Sequence, residues 1–172
     1  MPQGATIEEL FRAAAVSAVH LEMRDGYMLD DPVLHAWRED HSHVTVDDEG
    51  GQRWRSLVRE TVARGVAVRR ARVVSEPLSE YTHFEYDITS GHNIAAGEDV
   101  RWLPRKHATG LALPGNDFWL FDGHTLVVNH FSGNGDWTGT EHVTDPAVVK
   151  HCAAAFDAVW EKAVPHAEYK PA

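Results

Sequence analysis

Several features that would define a function class are missing from this sequence. Its 172 residues contain one cysteine, Cys152, so no disulfide can form within the chain. No apolar run reaches the roughly 18 to 20 residues that a membrane-spanning helix needs. The first ten residues, MPQGATIEEL, lack the basic start and the apolar block of a secretory signal. These absences predict a cytoplasmic protein without a membrane segment.

Positive charge is also scarce. The chain has 16 Lys and Arg against 26 Asp and Glu, which gives a formal net charge of −10. Nucleic-acid binding draws most of its affinity from a basic surface that neutralises phosphates. The charge balance therefore disfavours a nucleic-acid partner, although a local basic patch is still compatible with it.

Histidines are numerous but scattered. His124, His130 and His142 fall in neighbouring predicted strands, and the last two could meet across a hairpin. His41 and His43 could complete a metal site with them. The spacings of known zinc sites are absent, however, and a catalytic metal needs three ligands in fixed geometry. We expect no metal and no cofactor.

Hydrophobic periodicity and turn residues predict alternating helices and strands. Helices are predicted after the capping box at Thr6, from Asp31 to Glu39, from Gln52 to Arg64, from Pro77 to about Thr89, and from Asp145 to before Pro165. Strands are predicted from Ala18 to Met23, Val66 to Val74, Val100 to Leu103, Phe118 to Phe121, Thr125 to Phe131 and Thr138 to Val143.

This order of elements predicts a single α/β domain over residues 1–172. We expect a mixed sheet whose first strands are joined by helical crossovers, followed by an antiparallel strand meander and a C-terminal helix. The β-branched segment from Val66 to Val74 should be an interior strand. The tail beyond Pro165 is expected to be frayed.

Cationic charge is concentrated in that interior strand and just before it. Arg64, Arg69, Arg70 and Arg72 fall within nine residues. In a strand, Arg70 and Arg72 share one face and Arg69 lies on the other. Guanidinium groups grip phosphates and carboxylates, and free amides at the start of the helix near Pro77 would assist. The segment therefore predicts an anion site.

That site is placed at the carboxyl end of the strand, where α/β proteins commonly bind ligands. The residues predicted to bind the ligand are Arg70, Arg72, Glu76, Tyr81, Glu85 and Arg101.

A structural interpretation of the same arginines stays open. Arg70 and Arg72 could pair with Glu76, Glu85 and Glu98 in a buried network, as charges inside proteins usually must. The glutamates, together with Asp122, could instead include a carboxylate pair for acid and base chemistry. Sequence alone does not bring any two of them together.

A long loop is predicted after the strand at Val100 to Leu103. It begins at Trp102-Leu103-Pro104-Arg105-Lys106 and contains Gly110 and Gly115. Long loops in compact domains often carry function. A lid or a partner-docking element is expected there.

Four pieces of the chain carry a family resemblance over nearly its whole length. They are RGVAVRRARVVSEPLSEYTHFEYDIT, NIAAGEDVRWLPR, DFWLFDGHTLVVNHF and DPAVVKHC. In this order and spacing they resemble the uncharacterised actinobacterial family numbered 6879 among the domains of unknown function. The resemblance implies a genomic neighbourhood with helix-turn-helix regulators, and hence such a regulator as a partner. The family supplies no catalytic residues to transfer.

A weaker similarity is to one half of the phospholipase D-like fold. The segment FDGHTLVVNHFSGNGDW looks like the strand hairpin near the end of that pattern. The chain lacks a His-x-Lys-x-x-x-x-Asp run, so phosphodiesterase chemistry is not carried over.

Two function classes follow from these observations. The first is a non-enzymatic accessory domain that binds a partner protein or a small anionic ligand in a regulatory circuit. The second is an enzyme that uses the Arg/Glu/Tyr cluster on an anionic small molecule, by hydrolysis or acid–base chemistry. A concave pocket where arginine, tyrosine and carboxylate converge would favour a small-molecule site.

Overall fold

The computed structural model describes residues 4–42 and 45–172. Within these ranges five helices, α1 to α5, span Ile7–Ala13, Pro32–Glu39, Glu49–Ala63, Glu80–His92 and Pro146–Lys162. Seven strands, β1 to β7, span Ser17–Glu22, Ala67–Val74, Asp99–Pro104, Phe118–Phe121, Thr125–Phe131, Trp137–Val143 and Val164–Pro165. Short 3-10 turns at Ile94–Ala96 and Arg105–His107 flank β3.

The seven strands form one mixed sheet in the order β6-β5-β4-β1-β2-β3-β7. Strands β1, β2 and β3 are parallel neighbours, joined by crossovers that contain α2 and α3 and then α4. Strands β4, β5 and β6 form the antiparallel meander beside β1. The fold class and the interior position of the arginine-bearing strand β2 are confirmed.

Helices cover both faces of the sheet. On one face α5 packs its buried Cys152, Phe156 and Val159 against an apolar surface that includes Leu21 and Val73. The opposite face meets α1, α3 and α4. Because side chains alternate along a strand, each residue of β2 faces one of these two layers.

Helix α1 ends at Ala13, and β1 begins at Ser17, one residue before the predicted strand start at Ala18. The carboxylate of Asp122 accepts hydrogen bonds from the backbone amides of Ala15, Val16 and Ser17, at 3.0, 2.7 and 2.9 Å. Burial acts to raise the pKa of Asp122, but these amides lower it. Asp122 therefore joins the end of α1 to the β4–β5 turn.

Helix α4 begins three residues later than predicted, at Glu80 instead of Pro77. Ser79 is its N-cap and its hydroxyl accepts from the amide of Thr82 at 3.1 Å. This cap fixes the helix start, because it satisfies an amide that has no partner within the helix.

The expectation of a frayed tail is wrong. After α5 the chain forms β7, which pairs with β3. Tyr169 is buried, with its ring stacked 5.4 Å from the Trp102 ring, and its hydroxyl donates to Glu76 Oε1 at 2.9 Å. An aromatic anchor of this kind holds the tail against the sheet, because it buries a large apolar area.

A buried arginine–glutamate cluster as the candidate functional site

Strand register aligns charged residues on the face that α4 covers. In the parallel pair β1 and β2, His20 lies beside Arg70 and Glu22 lies beside Arg72. All four side chains are buried. The two-residue period of neighbouring interior strands therefore produces a charged patch in the core, here called the arginine–glutamate cluster, which also includes Glu85 and Glu98.

Arg70 is held by two carboxylates. Its Nε donates to Glu98 Oε2 at 2.8 Å and its Nη2 to Glu98 Oε1 at 3.3 Å, while Nη1 donates to Glu22 Oε1. Its guanidinium also lies 5.4 Å from the Trp119 ring centroid. Paired and stacked in this way, the buried charge of Arg70 is compensated.

Arg72 connects β1 to α4. Its Nε donates to Glu22 Oε2 at 2.6 Å and its Nη1 to Thr89 Oγ1 at 2.7 Å, and Nη2 lies 3.4 Å from Glu85 Oε1. Glu22 thus accepts hydrogen bonds from both arginines. The structural network that the sequence left open is present, with Glu22 as its centre and without Glu76.

The cluster contains three carboxylates and two guanidiniums, so one carboxylate lacks a full countercharge. Burial raises the pKa of Glu85 to about 7; Arg72 opposes this rise, but Glu22 adds to it. Burial also acts to raise the pKa of Glu22, yet Arg70 and Arg72 together keep it well below its ordinary value. Of the three carboxylates, Glu85 is therefore the one whose pKa is raised toward neutral pH.

A cavity of about 300 Å³ lies above this cluster, between the sheet and helices α2, α3 and α4. We call it the central cavity. Its charged lining consists of Asp31, Arg70, Arg72 and Glu85; its aromatic lining consists of Trp54, Tyr81, Phe84 and Trp119; Val33, Val46, Ile88, His92 and Asn93 complete it.

Two polar atoms at the central cavity lack partners. Asn93 is 3% exposed, and its Oδ1 accepts no hydrogen bond within the described part of the chain. The buried Nδ1 of His92 is likewise without a partner there. Burial, and then Arg70, lower the pKa of His92 to about 4, so its ring is neutral at physiological pH. Buried polar atoms without partners are costly and uncommon in folded proteins.

The structure brings four of the six predicted ligand-binding residues to the central cavity: Arg70, Arg72, Tyr81 and Glu85. Burial, and then Glu85, hold the pKa of Tyr81 far above its ordinary value, so its hydroxyl stays protonated. The cavity lies over the middle of β2 and not at its carboxyl end. That displacement separates the remaining two predicted residues from the cluster.

Glu76 and Arg101 lie elsewhere. Glu76 pairs with Lys106 Nζ at 2.9 Å and accepts from Tyr169, beyond the end of β2. Arg101 lies opposite Ala71 in the sheet, on the face that α5 covers, where its guanidinium is 4.2 Å from the Trp160 ring. Residue alternation in β3 puts Trp102 on the cluster face and excludes Arg101 from it.

Sequence reasoning missed the residue at the centre of the cluster. Neither Glu22 nor His20 was among the predicted site residues, although both lie in the predicted strand from Ala18 to Met23. His20 Nε2 lies 3.2 Å from Glu22 Oε1, and the His20 ring stacks on Trp119 at 4.2 Å. The available signal was the alternation itself: polar residues alternating in a strand inside a parallel sheet must be buried and paired.

The histidines do not converge in the β5–β6 hairpin. His130 lies opposite Gly139, whereas His142 lies opposite Val127. His130 instead contacts Glu141 at 3.0 Å. His43, proposed with them, falls outside the described residues. Across residues 4–42 and 45–172 no group of three or more His, Cys, Asp or Glu side chains could hold a metal.

No helix in the described part of the chain is both long and apolar enough to cross a membrane.

The fold that holds the arginine–glutamate cluster is a mixed sheet covered by helices, of the α/β class. Within this class the chain belongs to the family described as a domain of unknown function, DUF6879, whose model matches residues 5–171.

Other comparisons add little. No curated protein matches the chain. Among solved structures, Nuc from Salmonella typhimurium, a phospholipase D family member, is 10% identical, with 92% of this chain and 86% of that chain covered and a TM-score of 0.48. At this identity and TM-score the likeness carries no argument about fold or function.

Proposed function

We propose that this protein is a small-molecule-binding domain whose ligand occupies the central cavity. The observation that carries the proposal is the convergence of aromatic walls, a charged floor and two unpartnered polar atoms around about 300 Å³. Ligand sites are typically concave and mostly apolar, with a few placed polar groups that fix orientation.

The charges of the floor indicate the character of the ligand. Arg70 and Arg72 already bind carboxylates, so the floor has no surplus positive charge for an anion. Asn93 Oδ1 needs a hydrogen-bond donor, and the indole of Trp54 and the ring of Phe84 offer apolar walls. A small molecule with an aromatic or apolar body and an N–H or O–H donor fits this lining best.

The proposal can be tested with a library of small aromatic amines and alcohols, using tryptophan fluorescence and isothermal titration. Val33→Phe should fill part of the cavity and weaken binding. Val148→Phe, at an exposed position of α5, is the matched control and should bind as the wild type does. If every binding compound binds Val33→Phe and wild type equally, the ligand does not occupy the central cavity.

One observation favours an enzyme as the second candidate function. Glu85 lines the central cavity, and its pKa of about 7 suits a general acid or base at physiological pH. Once a ligand is known, Glu85→Gln separates the two candidates. If the wild type turns the ligand over and Glu85→Gln binds it without turnover, Glu85 is catalytic. If the wild type binds the ligand but does not turn it over, the protein is a binding domain.

A further inference from the structure

A second cavity, of about 280 Å³, lies at the edge of the sheet where the parallel strands end. Strand β1 ends at Glu22 and β3 ends at Pro104, so Arg24 and Arg105 follow the ends of the two parallel strands that flank β2. The loop before β4 returns to the same edge, because Phe118 pairs with Leu21. We call this space the edge cavity.

Arg105 is held at the edge cavity by two backbone carbonyls, the Ser75 hydroxyl and an ion pair with Asp25. Its Nη2 donates to the carbonyl oxygens of Met23 and Val73, at 2.5 and 3.1 Å, and its Nε donates to Ser75 Oγ at 3.1 Å. Asp25 lies 3.6 Å from Nη2, but its carboxylate also accepts from the amide and hydroxyl of Ser75. The Nη1 group takes part in none of these bonds.

Arg24 has no carboxylate in ion-pair contact within the described residues. Its Nη2 makes a long hydrogen bond of 3.4 Å to the Ser132 carbonyl, and its guanidinium lies 5.4 Å from the Phe131 ring centroid. Its Nε is buried and has no hydrogen-bond partner. A partly buried guanidinium with an unsatisfied donor is costly unless a ligand supplies the acceptor.

The acid that lines the edge cavity is already engaged. Asp117 is 3% exposed; its Oδ1 accepts from the Met23 amide at 2.9 Å and its Oδ2 accepts from the Tyr27 hydroxyl. Burial raises the pKa of Asp117, although the Tyr27 hydroxyl acts against this. Asp117 therefore uses both of its oxygens on protein donors, and Arg24 remains the guanidinium at this cavity without a carboxylate partner among the described residues.

We propose that the edge cavity is a binding site for a small oxyanion, a carboxylate or a phosphate, held between the guanidiniums of Arg24 and Arg105. Guanidinium groups bind such anions through paired charge-assisted hydrogen bonds. The loop residues Leu113, Pro114, Gly115 and Asn116 form the outer wall. A cavity of about 280 Å³ holds several water-sized groups, so the oxyanion is one end of a small organic molecule.

The site is separate from the central cavity and uses no residue of the arginine–glutamate cluster. It also gives the long loop, which the sequence marked as a candidate functional element, a specific place in the structure. The formal net charge of −10 disfavours unspecific anion binding elsewhere on the surface. Saturable anion binding would therefore report on a built site.

The test is a titration of the full chain with inorganic phosphate and, in a parallel arm, with succinate, followed by calorimetry and by backbone amide shifts in NMR spectra. We expect saturable binding of at least one of them, with shifts at Gly115 and Asn116. Arg24→Met and Arg105→Met should each weaken binding by about tenfold or more, which is the usual effect of losing a charged hydrogen bond.

Arg53→Met is the matched control, because Arg53 is an exposed residue of α3 that pairs with Glu49. It should leave the affinity unchanged. The NMR arm needs only the wild type, so it decides the question even if one arginine variant fails to fold. Absence of saturable binding by both anions, shifts confined to other parts of the chain, or equal affinity in all three variants would overturn the proposal. The arm that binds more tightly identifies the oxyanion as phosphate or carboxylate.

Discussion

At Arg72 and Val73 the two faces of the sheet are both buried but carry opposite chemistry. In β2, Arg72 is 4% exposed and its neighbour Val73 is 0% exposed, yet they point into different layers. Val73 packs in the apolar cluster under α5, whereas the Arg72 guanidinium contacts three side-chain oxygens from β1 and α4. Burial depth therefore says little about residue type; what matters is whether the layer above supplies partners.

The two faces also differ in how completely the helices fill the space above the sheet. The apolar face is closed by the interlocking side chains of α5. On the charged face, α2, α3 and α4 leave the central cavity above the cluster.

The largest expected effect comes from breaking the charged face at its centre. Arg72→Met removes the positive charge that faces Glu22 and Glu85, and should lower the free energy of unfolding by about 3 to 5 kcal/mol. The measurement is urea denaturation at pH 7. Arg101→Met is the control on the other face: it removes a guanidinium stacked on Trp160, at an expected cost of about 1 kcal/mol. Equal losses of unfolding free energy in Arg72→Met and Arg101→Met would show that the two faces do not differ in how much their arginines stabilise the fold.

An effect of intermediate size is expected in the pH dependence of stability, and it should come from Glu85 on the charged face. Because the folded pKa of Glu85 is about 7 against 4.5 for the free group, the unfolded chain releases this proton first as pH rises. Glu85 therefore lowers stability progressively between pH 4.5 and 7, by up to about 3 kcal/mol, and its effect is constant above that range.

Glu85→Gln should remove this part of the pH dependence, measured as urea midpoints from pH 4.5 to 8. Glu60→Gln, at an exposed position of α3, is the control and should keep the wild-type slope. An unchanged slope in Glu85→Gln would show that Glu85 is ionised throughout the range, as it would be if Arg72 compensated it fully.

The smallest effect is expected for an arginine–glutamate pair at the surface. Arg38 donates to Glu80 Oε2 through Nε at 2.9 Å and through Nη2 at 2.7 Å, a geometry similar to that of the buried pairs. Because both side chains are partly exposed, water competes for them, and Arg38→Ala should cost less than about 1 kcal/mol. Thermal denaturation of Arg38→Ala and Arg72→Met, measured side by side, compares the two losses of stability. If Arg38→Ala loses as much stability as Arg72→Met, burial is not the reason for the large effect at Arg72.

Sequence patterns predicted most of the fold because they act locally. The capping box at Thr6, the Asp-Pro helix starts at Asp31 and Asp145, and the β-branched run of β2 each fix a segment with interactions inside that segment. The mixed sheet then follows from the order of elements. The strand β7 and the packed tail were missed, since Tyr169 is anchored by Trp102 and Glu76, both distant in sequence.

For the candidate site, the sequence identified Arg70, Arg72, Tyr81 and Glu85 but not their arrangement. The helix-turn-helix partner and the small anionic ligand stay predictions. Of the two arginines at the edge cavity, Arg105 lies in the loop that the sequence predicted to be functional, whereas Arg24 carried no signal of its own because it is a single arginine beside a strand end.

What the sequence determined by itself was the period of each segment, and with it the face on which each side chain lies: Arg70 with Arg72, and Ala71 with Val73. What only the tertiary structure decided was which residues meet across strands. The register of β1 against β2 places Glu22 beside Arg72, and the 3-10 turn after α4 brings Glu98 to Arg70. Register and crossover geometry depend on the packing of the whole sheet, so the partners of a buried charge are fixed only when all the layers are assembled.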